Sequence, residues 1–210
     1  MIILKLIPMK NQNNLKFLII TLFISLFQSC QSQTSDNPTV LGTEIFKLEN
    51  VTFKENIDTL FSKIPFVKLD RTNDKSKALI FRNKIDDNKN VKIVDFNGID
   101  SQRLNVITND KKEIQAFSTY IETTKNPQVL IEKIDKKFKP YKVNLKPNKK
   151  LEFSKAKLYQ WNLPDKIYAL TVSDLGNQYT LGIIVTKIDI DKNTLSVDTT
   201  PICLDNSCKE

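Results

Sequence analysis

Histidine is absent from all 210 residues. Without an imidazole there is no Ser-His or Cys-His nucleophile pair, no histidine general base and no zinc site of the common histidine-bearing kind. Glycine is nearly as scarce, with four in the chain, at Gly42, Gly98, Gly176 and Gly182. None lies at the spacing needed for a glycine-rich turn around a phosphate. The three cysteines, Cys30, Cys203 and Cys208, have no Cys-x-x-Cys spacing, which weighs against a redox-active pair. Carboxylate and lysine chemistry stay open, but no motif announces either. The composition therefore points to a binding or structural role, with no cofactor and no metal expected.

What is present suits a folded domain. The chain is 40% hydrophobic and 27% charged, the balance of an ordinary globular protein. If about the first 30 residues form a removed leader, the roughly 180 that remain make one comfortable domain and a tight pair. The formal charge is +8. Lys5, Lys10 and Lys16 fall in the leader, leaving 29 bases against 24 acids, a net of +5. That mild excess suits an anionic surface or partner, or simply a lysine-rich solvated exterior.

The leader reads in three parts. Lys10 and Lys16 precede an apolar run at positions 17–27 (Phe-Leu-Ile-Ile-Thr-Leu-Phe-Ile-Ser-Leu-Phe), and Gln28-Ser29-Cys30 closes it. Eleven residues are too few to span a bilayer, which takes about 20, so the run has the length of a signal-peptide core. Met1–Pro8 is itself apolar, and a start at Met9 would give a conventional positive region, so the expected initiator is Met9. Residues 9–30 resemble the lipobox leader of bacterial lipoproteins. Ser29 is the small residue before the cysteine, although Phe27 stands where leucine is usual and Gln28 is polar. The resemblance implies cleavage after Ser29, a diacylglyceryl group on the Cys30 sulfur, and an acylated amine. Two or three acyl chains anchor firmly, since each buried methylene contributes about 0.8 kcal/mol. The expected partner is thus the lipid bilayer, reached from an extracytoplasmic face, with no nucleic acid. Gln31 after the cysteine favours the outer membrane by analogy with lipoprotein sorting. Residues 30–38, polar from Gln31 to Pro38, read as a flexible tether.

With Cys30 given to lipid, Cys203 and Cys208 form an even remainder in an oxidising compartment, so a disulfide is expected. It would close a loop of six residues and contribute roughly 2 kcal/mol by loop-closure entropy, pinning an end that would otherwise fray.

Residues 39–210 read as a single α+β domain, with halves at 39–124 and 125–210. Ile57, Leu60, Phe61 and Ile64 follow helical spacing, and Pro65 ends the run. A second helix opens at Asn126-Pro127, carries Leu130, Ile131, Ile134 and Phe138, and ends at Pro140. Strands are expected at 78–82, 91–96, 103–108 and 113–122 after the first helix. After the second they are expected at 158–162, 167–172 and 179–188, with a short one at 195–197. Turns at 109–111, 163–166 and 174–177 join neighbours, so the pairing is antiparallel. The expected architecture is an antiparallel sheet with two helices on one face, arranged as a tandem helix-then-strands repeat. This order is similar to that of small bacterial inhibitor domains of the β-lactamase-inhibitor type, a likeness at the level of fold alone.

Four constellations invite chemistry. Asp189-Ile190-Asp191-Lys192-Asn193 opens like a calcium loop, but Thr194 stands where glycine must turn and Thr200 where glutamate must close, so a polar turn is expected. Residues 131–160 hold ten lysines against three acids and no arginine. Lys136, Lys137, Lys139, Lys142, Lys146, Lys149 and Lys150 form a candidate patch for an anionic surface, without the bidentate fork that arginine gives phosphate. Asp86, Asp87, Asp95 and Asp100 sit in or beside one hairpin and suit surface turns. Tyr159 and Trp161 share one face of a strand and are expected to pack under the second helix; exposed, they would make a binding platform. The favoured function is a membrane-anchored, non-enzymatic binding or accessory module of the cell envelope. The alternative is an inhibitor or immunity-type lipoprotein, and an envelope hydrolase comes third. The solvent face of the sheet discriminates them: aromatics for the inhibitor, converging carboxylates for the enzyme, lysines for the accessory module.

Overall fold

The structure, a computed structural model, describes residues 39–70, 78–85, 91–146, 155–195, 202–204 and 209. The lipobox-like run, Cys30, the tether, Asp86, Asp87, Lys149, Lys150 and Cys208 lie outside the described residues.

Antiparallel strands dominate. The strands among the described residues are β1 (Phe46–Lys47), β2 (Phe66–Asp70), β3 (Leu79–Asn83), β4 (Val94–Phe96), β5 (Ile99–Ser101), β6 (Asn105–Thr108), β7 (Ile114–Thr123), β8 (Ala156–Asn162), β9 (Lys166–Asp174) and β10 (Tyr179–Lys187). Seven form one sheet in the order β2-β3-β6-β7-β10-β9-β8, antiparallel at every junction. It is built of two meanders, β2-β3-β6-β7 and β8-β9-β10, which meet where β7 pairs β10 from Thr123↔Tyr179 to Ala116↔Thr186. A smaller sheet holds β1, β4 and β5, with β1 parallel to β4.

Pattern explains the central strands. Along β10, Leu181, Ile183 and Val185 point into the main core, and Ile184 and Thr186 point to the opposite face, all buried. A strand covered on both faces reads as a nearly continuous apolar run, as expected for 167–172 and 179–188. The turns are also where they were expected. The Leu163 N–H donates to the Lys166 carbonyl (2.8 Å), and the Leu175 N–H to the Gln178 carbonyl (2.9 Å) across Gly176, at φ +90°.

Three expectations are corrected. The first helix, α1 (Ile57–Leu60), is one turn, not the run to Ile64. The Asn56 side chain caps it by accepting the Thr59 N–H (3.0 Å), and Pro65 leads into the unforeseen strand β2. In that edge strand exposed Phe66 and Lys68 alternate with Val67 and Leu69, which are only half-buried, so the apolar-polar pattern is weak. Residues 97–101 turn back on 94–96 as a hairpin, because Asn97 and Gly98 adopt φ +53° and +94°, the left-handed pair that a tight hairpin requires. Leu195, the first residue of the strand expected at 195–197, ends a helical turn instead, α3 (Lys192–Leu195), and residues 196 and 197 of that expectation lie outside the described residues. Asp191 caps this turn, its carboxylate accepting the Asn193 N–H (3.1 Å) and its carbonyl the Thr194 N–H (3.0 Å).

The second helix, α2 (Gln128–Phe138), buries Leu130, Ile131, Ile134 and Phe138 as expected. The Asn126 side chain accepts the Gln128 N–H (2.9 Å) at its start, and a 3-10 turn, Lys139–Tyr141, follows its end. Side chains of α1 and α2 enter one large core with Phe46, Phe96, Phe117, Trp161, Tyr168, Leu181 and Ile183. A smaller cluster on the other face of the sheet gathers Ile80, Ile107, Ala116, Ala169 and Ile184 beneath Ile190, Ile202 and Leu204.

Candidate functional site

The lysine-rich segment is built on α2. Its buried stripe leaves Val129, Glu132, Lys133, Lys136 and Lys137 exposed on the other side, and Val129, 73% exposed, stands seven residues before Lys136 on the same face. Lys139 and Tyr141 continue the surface through the 3-10 turn, with Tyr141 40% exposed, and Lys142 and Lys146 follow, both exposed. The structure thus gathers Lys136, Lys137, Lys139, Lys142 and Lys146 along one stretch of chain.

Two of the local cations are engaged. Asp135 accepts the Trp161 indole N–H (2.9 Å) on one carboxylate oxygen and the Lys142 ammonium (2.5 Å) on the other. Lys133 donates to the Asn97 carbonyl (2.6 Å), joining α2 to the β4–β5 turn. The backbone continues this attachment: the Val143 N–H donates to the Gln160 carbonyl (2.9 Å), extending the edge at β8. Lys137 reaches over the Phe138 ring, 5.1 Å from its centroid, a placement that keeps the charge at the surface. Among the described residues no carboxylate lies within 4.0 Å of the Lys136, Lys137, Lys139 or Lys146 ammonium.

Trp161 is fully buried and stacked near Tyr159, with ring centroids 6.5 Å apart. This is packing under α2 and leaves no exposed platform at Trp161. Asp95 and Asp100 face each other across β4 and β5. Asp100 pairs with Lys92 (2.5 Å). Burial, with help from the Glu49 and Asp100 charges, holds the Asp95 carboxyl above its ordinary range, while the Gly98 N–H that it accepts (3.0 Å) pulls the other way. Asp191 acts as a helix cap, and among the described residues no group of three potential metal ligands comes together.

Sequence reasoning missed a polar tie inside the core. The Tyr168 hydroxyl donates to the Glu49 carbonyl (2.9 Å), and Lys166 donates to the Val51 carbonyl (2.7 Å) and pairs with Asp165 (3.3 Å). Burial first, then the Glu49 and Asp165 charges, keep the Tyr168 hydroxyl protonated far above the ordinary tyrosine range. These bonds fasten the 3-10 turn Leu48–Asn50 and the residue after it to β9, across more than 110 positions. No local spacing signals such a contact.

The face of the large sheet opposite α2 carries Ile80, Arg82, Asn105, Ile107, Ala116, Ser118, Tyr120, Thr171, Gly182, Ile184 and Gln160, by strand register. Arg82 donates to the Asn105 side chain (2.6 Å), which donates in turn to Ser118 (3.1 Å). This face mixes buried apolar Ile80, Ile107, Ala116 and Ile184 with polar Arg82, Asn105, Ser118 and Gln160, and it carries the half-buried aromatic Tyr120. The candidate lysines within the described residues lie on α2, the turn after it and the following residues, where the sequence places them, and none of them is on this sheet face. Among the described residues no helix is long and apolar enough to cross a membrane. No protein-family model matches the sequence, no curated protein matches it, and no solved structure matches the fold.

Proposed function

We propose that the chain is an extracytoplasmic lipoprotein, fastened to a bilayer through acylated Cys30 and acting as a non-enzymatic binding or accessory module of the envelope, at the outer membrane. One observation carries this reading: an eleven-residue apolar run at 17–27, preceded by Lys10 and Lys16, closes on Ser29-Cys30. That is the order of charge, apolar core and small residue that a lipoprotein leader needs. The polar stretch from Gln31 to Pro38 suits a tether, and Cys203 and Cys208 suit a disulfide in an oxidising compartment. We read the two meanders as a tandem repeat in which each half sets a helix on the same face of the shared sheet; the shared core entered by α1 and α2 supports this.

The experiment is metabolic labelling with palmitate in the native host. The label is expected on the wild-type chain, which fractionates with membranes, and is expected to be lost from Cys30→Ala. An unlabelled wild-type chain in the soluble fraction would overturn the proposal. The inhibitor reading calls for an exposed apolar or aromatic patch on the open face of the sheet; that face carries half-buried Tyr120 among buried Ile80, Ile107, Ala116 and Ile184, so the reading gains little support there.

A further inference from the structure

We infer that the exposed end of α2 and the turn after it form a surface that lies against anionic phospholipid headgroups. The inference rests on the tethering proposed above, which keeps the domain within reach of a bilayer, and it names the component of that bilayer which the domain itself touches. Lys136, Lys137, Lys139 and Lys146 are exposed, and among the described residues none has a carboxylate within ion-pair distance. The nearest acid in sequence on the inward flank, Asp135, has both oxygens occupied by Trp161 and Lys142, so it does not neutralise the outward lysines. Glu132, the acid on the outward face, is engaged by the Gln128 amide (3.0 Å) one turn nearer the start of the helix.

A helix end attracts cations for its own sake, and that accounts for Lys136 and Lys137 in the last turn. It also reaches Lys139 at the C-cap, and Lys142 answers Asp135, but neither accounts for exposed Lys146, which lies beyond the helix. Lysine without arginine also sets the chemistry. Hydrated point charges on long stems suit a diffuse negative plane, whereas recognition of a single phosphate favours the arginine fork. Tyr141, 40% exposed between Lys139 and Lys142, is an amphipathic ring of the kind that settles at headgroup depth. Val129, 73% exposed, adds apolar area on the outward face near the start of the same helix.

The test reconstitutes the full-length protein, as purified from its host, in vesicles of phosphatidylcholine alone or with phosphatidylglycerol added. Acetylation of each lysine by a water-soluble reagent is followed by mass spectrometry. Lys136, Lys137 and Lys139 are expected to react about threefold more slowly on the anionic vesicles, with exposed Lys63 unchanged. The difference should vanish in about 0.5 M salt, where screening shortens the reach of surface charge to a few ångströms. Exposed Lys146 should be slowed on the anionic vesicles as well, and in the triple variant K136E/K137E/K139E, all solvent-facing positions, that slowing should disappear. Equal rates on both vesicles overturn the inference. A chain that carries no acyl group yet floats with the phosphatidylglycerol vesicles alone would sink the tethering and keep the surface. A chain that floats with neither vesicle would sink both.

Discussion

Gln160 holds the backbone of Cys203 from both sides: its amide nitrogen donates to the Cys203 carbonyl, its amide oxygen accepts the Cys203 N–H, and both bonds are 2.8 Å. The glutamine is fully buried and sits 43 positions away in the chain. A side chain here takes the part of a neighbouring strand, satisfying both polar groups of a segment that has no ladder of its own.

Gln160→Met should therefore be among the more damaging single changes. It keeps the volume and strands a buried donor and a buried acceptor, each worth about 1–3 kcal/mol when left unpaired. A loss of roughly 2–5 kcal/mol is expected in urea unfolding, together with faster proteolysis near residues 202–204. An unchanged midpoint would show that the segment is not held by this contact.

Trp161 is the sole tryptophan and is fully buried with its indole N–H on Asp135. Its native emission should be blue-shifted and resist iodide quenching until the chain unfolds. Trp161→Phe keeps an aromatic ring but leaves the Asp135 carboxylate one donor short, with an expected loss of about 1–3 kcal/mol. Rapid quenching in the native state would contradict the burial.

Asp95 gives a pH dependence of definite sign. Its folded carboxyl is held above the ordinary range by burial and by Glu49 and Asp100, so the folded state keeps its proton more tightly than the unfolded chain does. This group's contribution is most favourable below the ordinary carboxylate pKa, declines as pH rises toward the raised value, and stays level above it. Asp95→Asn can still accept the Gly98 N–H and carries no charge. The variant should gain stability relative to wild type as pH rises from 3 to 7, in paired thermal melts. A gap that narrows over that range would reverse the assignment.

The proposed Cys203–Cys208 bridge is checked by a non-reducing peptide map, in which one cross-linked fragment should carry both residues. Reduction, or Cys208→Ser, should cost roughly 2 kcal/mol, the size of effect that closing so short a loop gives. Two alkylatable thiols in the unfolded, unreduced chain would rule the bridge out.

What could be read from the sequence divides along the range of the interactions. The buried runs of β9 and β10, the Asn126-Pro127 opening of α2 and its four-residue stripe are all signals within one element, and each appears in the structure. The edge strand β2 was not legible, because its alternation of exposed Phe66 and Lys68 with half-buried Val67 and Leu69 sets an aromatic on the outward side and buries no residue fully. The first helix was overread: Phe61 and Ile64 keep helical spacing although only Ile57–Leu60 is helical, since a turn that packs its apolar residues inward gives the same pattern. Of the candidate site, the lysine count was plain. The Trp161–Asp135–Lys142 chain was not, because it links a strand, a helix and a turn that only the fold brings together.

The junction of β7 with β10 bears on how the chain reaches its native state. Phe117, Ile121, Ile183 and Val185 meet across strands whose facing ends, Thr123 and Tyr179, are separated by an entire helix and two further strands. Each meander can form locally, whereas their union has to wait for a long loop to close, which slows assembly. Until it closes, two bare edges bearing large apolar groups stand open to pairing with other molecules. Crowding before that closure is the moment at which this molecule is most exposed to aggregation, and a chaperone that shields strand edges would do the most good there.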